Sequence, residues 1–225
     1  MNRNSGKFFA LLLMCVLSAP CEADPNQAAD KGRFFSISYD QALADEAQDG
    51  RLLLLLATHD EKEPRFLVNN NLNTQLIFGR NVEDWQGGAA LSIDQTVVGF
   101  PLQDLSQVPP GTYYAQALLN RYKDYRLSNG KVVSLPPDRG EGQQWNRKPG
   151  NFYSKPIKIE IDASGNGMFS LVLDQVVEEI APPADTEFVK HVRMRSSLLS
   201  DFWGEDIYPS NNTTTVFSFD IRYWG

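Results

Sequence analysis

The chain has 225 residues, of which 42% are hydrophobic, and it carries a formal net charge of −7 at neutral pH. A hydrophobic fraction of this size can bury a core, which excludes a disordered chain. An acidic chain without a basic stripe argues against nucleic-acid binding. Frequent aromatic, Gly and Pro residues favour strands joined by tight turns over long helices.

The first 23 residues have the pattern of a secretory signal peptide. Arg3 and Lys7 supply a positive start, residues 8–17 a short apolar segment, and residues 21–23 (Cys-Glu-Ala) a cleavage site. The apolar segment is too short to span a bilayer, so we expect no transmembrane segment in the mature chain. We expect export to the periplasm or the medium. A lipoprotein anchored at Cys21 is the less favoured alternative, because Pro20 stands where a small residue should precede the lipidated Cys.

Cleavage after Ala23 would also change the chemistry of the chain. It removes two basic residues and one acidic residue, so the formal charge moves from −7 to −8. Both cysteines, Cys15 and Cys21, are removed with the signal peptide. Stability must then come from a packed core, because an exported chain without cysteines has no disulfides. Residues 24–31 are polar and predict a flexible N-terminus.

Strand patterns begin at residue 32. Phe35, Ile37 and Tyr39 alternate with polar residues, which predicts a half-buried strand. The Leu-rich residues 51–58 suit a strand buried on both faces, with a helix as the alternative because Leu is a good helix former. Residues 109–111 (Pro-Pro-Gly) predict a rigid turn from which a further strand leaves.

Two alternating segments near residue 165 predict a β-hairpin. Isoleucines alternate with charged residues over 157–161, apolar residues alternate again over 169–173, and the polar residues 163–167 join them. We therefore predict a mainly β chain with an immunoglobulin- or prealbumin-like β-sandwich over residues 32–177.

The C-terminal part is predicted to differ from this module. Residues 178–187 contain two prolines and predict a linker. Residues 188–225 then form a short, incomplete segment, with a helix expected over 196–203. Beyond residue 208, aromatic and polar residues alternate, so the tail could form an amphipathic strand that needs a sheet edge.

The sequence contains no pattern that makes a catalytic or metal site. There is no G-x-S-x-G elbow, phosphate loop or dinucleotide fingerprint, and we expect no cofactor. His59 and His191 lack partners at metal-ligand spacing, and ordinary loop and strand positions are favoured for them. Asp162, Ser164 and Asn166 imitate the start of a calcium loop, but Leu173 occupies the position that needs an acid.

The long loop over residues 135–156 is the best candidate for a specific role, because long loops in compact domains are often functional. Its Gly-rich part combines an aromatic ring with amide, acid and guanidinium groups. Such a set could bind a sugar or peptide, or dock a neighbouring domain, and docking or plain structural packing is favoured. The candidate residues are Glu141, Gln143, Gln144, Trp145, Asn146, Arg147 and Tyr153.

Several of these stretches resemble the N-terminal region of a family of secreted bacterial proteins classed as esterases. The resemblance is carried by residues 50–56, 108–122, 138–153 and 188–204, and it covers roughly residues 32–208. It implies a β-sandwich-like module that precedes an α/β-hydrolase domain, whose first strand would begin near Phe188. The chain departs from the family pattern at Pro209, so no residue of a Ser-His-Asp triad can be carried over.

These observations predict a non-catalytic exported accessory or binding module. Its partner would be an α/β-hydrolase domain, a polymeric or ester substrate, or another envelope protein. The alternative is an incomplete copy of a secreted serine esterase.

Overall fold

The computed structural model describes residues 32–71, 73–137, 144–164, 166–179, 181, 184–189 and 194–208. These residues form a mainly β structure, as the sequence predicts, with one α-helix, α1 (Ser197–Trp203). Short 3-10 turns lie at Gln41–Leu43, Pro64–Phe66 and Leu105–Gln107. The described strands are β1 (Phe34–Tyr39), β2 (Gln48–Ala57), β3 (Leu76–Trp85), β4 (Leu91–Ile93), β5 (Gly99–Phe100), β6 (Gly111–Arg121), β7 (Lys123–Arg126), β8 (Val132–Leu135), β9 (Phe152–Tyr153), β10 (Ile157–Ile161), β11 (Met168–Leu173) and β12 (Gln175–Val176).

The large sheet is centred on β2. Its strand order is β12-β9-β6-β2-β3-β5. Strand β10 also pairs with β6, along Gly111 to Ala115, whereas β9 pairs with Leu118 and Leu119. Strand β2 lies antiparallel to both β3 and β6, and Leu52 to Ala57 are all buried. A strand that is paired on both edges and buried on both faces favours apolar side chains at every position. The strand prediction for the Leu-rich run is confirmed, and the helix alternative is wrong.

The small sheet has the order β11-β1-β4. Strand β1 pairs with β11 in parallel and with β4 in antiparallel orientation. The predicted hairpin between 157–161 and 169–173 is therefore wrong, because β10 lies in the large sheet and β11 in the small one. The polar turn between them, in which Asp162 accepts hydrogen bonds from the Ser164 amide and hydroxyl, crosses from one sheet to the other.

The main core contains the inward-facing residues of both sheets. Phe35, Ile37 and Tyr39 of β1 join the even-numbered leucines of β2 and Ala115, Ala117 and Leu119 of β6 in one buried cluster. The strand prediction for β1 is confirmed by this alternation. Tyr39 also packs edge-on against Trp85, and its hydroxyl donates to the Trp85 carbonyl oxygen at 2.9 Å. The core therefore ties the two sheets to each other.

The predicted turn at 109–111 leads directly into β6, which confirms the strand expected there. Strand β6 ends near a separate two-stranded sheet of β7 and β8. The helix predicted over 196–203 is also confirmed, since Ser196 caps α1 and Gly204 ends it in a left-handed conformation. Trp203 packs edge-on against Tyr125, and the Ser128 amide donates to the Phe202 carbonyl oxygen. These contacts fix α1 to the β7–β8 sheet.

Some predictions fall on residues outside the described ranges, among them the signal peptide, the flexible N-terminus and the tail after residue 208. Phe188 and Val189 are described and lie in no strand, whereas residues 190–193 lie outside the described ranges, so the strand expected to begin near Phe188 stays a prediction. The domain boundaries at 178 and 188 stay predictions. Among the described residues, no helix is long and apolar enough to cross a membrane.

Candidate functional site

The candidate loop lies over the face of the large sheet that points away from the small sheet, here called the outer face. Gln144, Trp145, Asn146, Arg147 and Tyr153 are described, whereas Glu141 and Gln143 lie outside the described residues. Leu53, Leu55 and Leu118 form a second buried cluster on this face, and Trp145 and Tyr153 pack against it. The loop therefore covers apolar surface that the odd-numbered leucines of β2 would otherwise expose to water.

Asn146 and Arg65 hold the loop through a reciprocal pair of hydrogen bonds. The Asn146 Nδ2 donates to the Arg65 carbonyl oxygen at 3.1 Å, and the Arg65 Nη1 donates to the Asn146 carbonyl oxygen at 3.2 Å. Arg65 lies in the 3-10 turn Pro64–Phe66 and is only 8% exposed. Each residue thus satisfies a backbone group of the other, which fixes the loop relative to the turn.

Glu63 and Gln116 complete the network around Arg65. The Arg65 Nε contacts the Glu63 carboxylate at 2.7 Å, and the Gln116 Nε2 donates to the same carboxylate at 2.8 Å. The Gln116 side-chain oxygen accepts from the Arg65 amide at 3.0 Å. Gln116 projects from β6 and is fully buried. A buried amide with satisfied groups at both ends of its side chain orients its neighbours strongly, because any displacement leaves a polar atom unpaired.

Two arginines share the ring of Phe66. The Arg65 guanidinium carbon lies 4.5 Å from the centre of the Phe66 ring and 4.0 Å from that of Tyr153. The Arg147 guanidinium carbon lies 5.4 Å from the Phe66 ring centre. Both positions are within the range in which a cation is attracted to an aromatic face. Arg65 is buried and paired with Glu63, whereas Arg147 is exposed.

Asn151 anchors the other end of the loop. Its Nδ2 donates to the Trp145 carbonyl oxygen at 2.8 Å and to the Asn120 side chain, while its Oδ1 accepts from the Arg121 amide. Arg121 lies over Phe152 and donates to Gln48, and burial lowers the pKa of this guanidinium, with Tyr39 acting weakly in the opposite direction. The described part of the loop, residues 144–151, is therefore held by the turn Pro64–Phe66 and by the end of β6.

Sequence reasoning missed Arg65, Glu63 and Gln116. The signal for Gln116 was present, because it is a polar residue in an apolar segment of β6. A polar side chain at such a position needs partners, and these come from turns far away in the sequence. The turn at 64–66 contacts the loop at 144–147 only in the folded structure. No local sequence pattern indicates this contact, so the role of Arg65 could not be predicted.

The two histidines add no catalytic geometry to the described residues. His191 lies outside them, and His59 follows β2 in a loop, as expected, with a buried Nδ1 that has no hydrogen-bond partner. The neighbouring Asp60 shares a hydrogen bond with Tyr114, which raises the pKa of this tyrosine, with burial as a smaller cause. Within the described part of the chain, no three His, Cys, Asp or Glu side chains cluster as metal ligands.

No protein-family model, no curated protein sequence and no solved structure matches the chain. The resemblance to the esterase family therefore stays a prediction, as do the export and the partners that it implies. The observed arrangement itself is a loop bound to a sheet, with amide and guanidinium groups at its surface. Such a surface can bind a partner through charge and hydrogen bonds.

Proposed function

We propose that the chain is an exported, non-catalytic accessory module that docks a partner on the outer face of its large sheet. The observation that carries the proposal is the position of Arg147. Asn146, next to it in the sequence, is locked to Arg65, while the Arg147 guanidinium stays exposed above Phe66. A side chain presented from a rigid support binds with a smaller loss of conformational entropy than one on a free loop.

The architecture that we propose for residues 32–177 is an immunoglobulin- or prealbumin-like β-sandwich. Two sheets with one common core support it. Because folds of this kind carry many unrelated functions, the argument for binding depends on the surface at Arg147 and not on the fold. The partner that the sequence resemblance implies is an α/β-hydrolase domain, and a polymeric or ester substrate is the other class.

One experiment separates this proposal from the incomplete-esterase alternative. The purified chain is assayed for hydrolysis of short 4-nitrophenyl esters, with and without a serine-directed inhibitor. We expect a rate equal to that of buffer. Turnover that the inhibitor abolishes would instead require an activated serine, and it would overturn the non-catalytic proposal.

A second experiment tests docking itself. Native affinity electrophoresis compares retention of the chain by a set of soluble polymers: a neutral polysaccharide, an acetylated polysaccharide, polygalacturonate and polyglutamate. We expect at least one polymer to retain the parent chain and to retain Arg147→Gln less. Lys131→Gln, which makes the same charge change at an exposed turn between β7 and β8, should behave as the parent. Equal retention of the parent and Arg147→Gln by every polymer contradicts docking of a polymer through Arg147.

A further inference from the structure

The charge and ring contacts around Arg147 indicate which kind of partner fits the outer face. We infer, on the basis of the proposed function, that this face binds an acidic polypeptide segment, and that Arg147 receives one of its carboxylates. The guanidinium group matches a carboxylate in a planar, two-pronged geometry, which a lysine ammonium does not offer. The inference therefore concerns one named side chain and one chemical group.

The two arginines at Phe66 differ in the way their charge is used. Arg65 is neutralised by Glu63 at 2.7 Å and donates to the Asn146 carbonyl oxygen. Arg147 contacts the Phe66 ring and has no carboxylate partner among the described residues. Its backbone is held by a bond from its amide to the Gln144 carbonyl oxygen at 2.9 Å. Arg147 is thus a positioned cation whose charge is not used within the described structure.

The aromatic rings of the site are engaged by the chain itself. The Phe66 ring carries two guanidinium groups, the Tyr153 ring carries that of Arg65, and Trp145 packs on the apolar cluster of the outer face. Neutral sugars are commonly held by stacking on open aromatic rings. Each ring is only half-exposed and already contacts the chain, whereas Arg147 is exposed, so charge is the recognition element that we assign to this surface.

Two described carboxylates of the segment around Arg65 have partners within the chain. Glu63 accepts from Arg65 and Gln116, and Asp60 shares a hydrogen bond with Tyr114. Two exposed lysines, Lys62 and Lys155, are adjacent in sequence to Glu63 and to Ser154, whose carbonyl oxygen binds Gln116.

The chain as a whole carries a net charge of −7, so its average electrostatic field repels an anionic partner. A local cation then selects the orientation in which such a partner binds.

The test uses fluorescence anisotropy with a labelled oligoglutamate peptide and the purified full chain. We expect saturable binding that weakens as the NaCl concentration rises, and no binding of an oligoserine peptide. Arg147→Gln should bind about tenfold more weakly, which corresponds to the loss of one charge-assisted contact. The affinity of Arg147→Lys for the peptide should lie between those of the parent and Arg147→Gln, because lysine keeps the positive charge but cannot bind a carboxylate through two parallel N–H groups. Lys131→Gln should bind as the parent does.

Four outcomes would overturn the inference. These are the absence of oligoglutamate binding, equal binding by Arg147→Gln and the parent, equal binding by Arg147→Lys and the parent, and binding of polygalacturonate without binding of the peptide. If oligoglutamate does not bind but a neutral polymer is retained in a way that depends on Arg147, the proposed function stands and this inference is wrong. Circular dichroism and a urea unfolding midpoint equal to that of the parent establish that each variant is folded.

Discussion

Ser154 and Ala117 bind each other through two hydrogen bonds, one of which uses a side chain in place of the backbone. The Ser154 amide donates to the Ala117 carbonyl oxygen at 2.9 Å, and the Ser154 hydroxyl oxygen accepts from the Ala117 amide at 3.0 Å. Ser154 follows β9 and precedes β10, both of which pair with β6. The hydroxyl therefore keeps the edge of β6 satisfied where the neighbouring strand is interrupted.

Replacing Ser154 with Ala should lower the free energy of unfolding by about 1–3 kcal/mol, because the buried Ala117 amide loses its acceptor. Urea unfolding followed by tryptophan fluorescence measures this change. The matched control is Ser170→Ala, at an exposed position of β11, which should change the free energy by less than about 0.5 kcal/mol. Equal losses in the two variants would show that the hydroxyl of Ser154 has no special role.

Replacing Asn146 with Ala should release the loop from the turn at 64–66. One of the two bonds to Arg65 is lost, at a cost of about 1 kcal/mol, so the loop opens more often. Limited proteolysis with trypsin should then cleave after Arg147 about fivefold faster, as the open fraction rises. The bond after Lys148 precedes Pro149 and is not a trypsin site. Gln144→Ala, at an exposed neighbouring position, should be cleaved at the parental rate. Unchanged cleavage in Asn146→Ala would mean that the bond from the Asn146 Nδ2 to the Arg65 carbonyl oxygen does not hold the loop.

A comparison of Gly204 with Gly130 tests whether α1 packs closely against β7. Both have a positive φ, 73° and 82°. A Cβ on Gly204 would lie 2.6 Å from the Arg126 carbonyl oxygen, whereas one on Gly130 would meet nothing within 4 Å. Gly130→Ala should cost about 1 kcal/mol for the left-handed backbone alone, and Gly204→Ala clearly more. Urea unfolding of both variants gives the comparison, and equal costs would contradict a close contact between α1 and β7.

Acid should weaken the turn after β4 in a predictable way. Hydrogen bonds from the Thr96 hydroxyl and amide hold the pKa of Asp94 below its ordinary value of 3.8, and burial opposes them weakly. The resulting stabilisation is present above that ordinary value, and it is lost as the pH falls through the lower pKa of the folded state. Thr96→Val should therefore be less stable than the parent near neutral pH, by a difference that shrinks in acid.

Urea midpoints between about pH 2 and pH 7 test this dependence. Thr58→Val is the control, because the Thr58 hydroxyl donates to the neutral side chain of Gln75 and its loss should not depend on pH. A difference between the parent and Thr96→Val that stays constant with pH would exclude a role for the Asp94 charge.

The strands of the fold follow from the sequence because their burial patterns are local. The alternation in β1 and the unbroken leucines of β2 determine which faces are covered, and the structure places both as expected. The pairing of β10 and β11 does not follow, because alternation identifies a buried face and not the sheet to which it belongs. A short polar turn that joins two sheets has the same composition as one that joins two paired strands.

The candidate site was predictable in part for the same reason. The ring and polar groups of Trp145, Asn146 and Arg147 marked the loop as specific, and their common position on the outer face is observed. Arg65 and Gln116 entered the site only through tertiary contacts between segments about fifty or more residues apart. Local sequence carries no record of such partners.

The parallel pairing of β1 with β11 has a consequence for the order in which the structure can form. The pair is joined at both ends, by the Phe34 amide to the Gly167 carbonyl oxygen and by the Asp40 amide to the Leu173 carbonyl oxygen. During synthesis, β1 therefore lacks its neighbour β11 until the chain has been extended to Leu173. The small sheet can therefore close only after eleven of the twelve described strands have been synthesised.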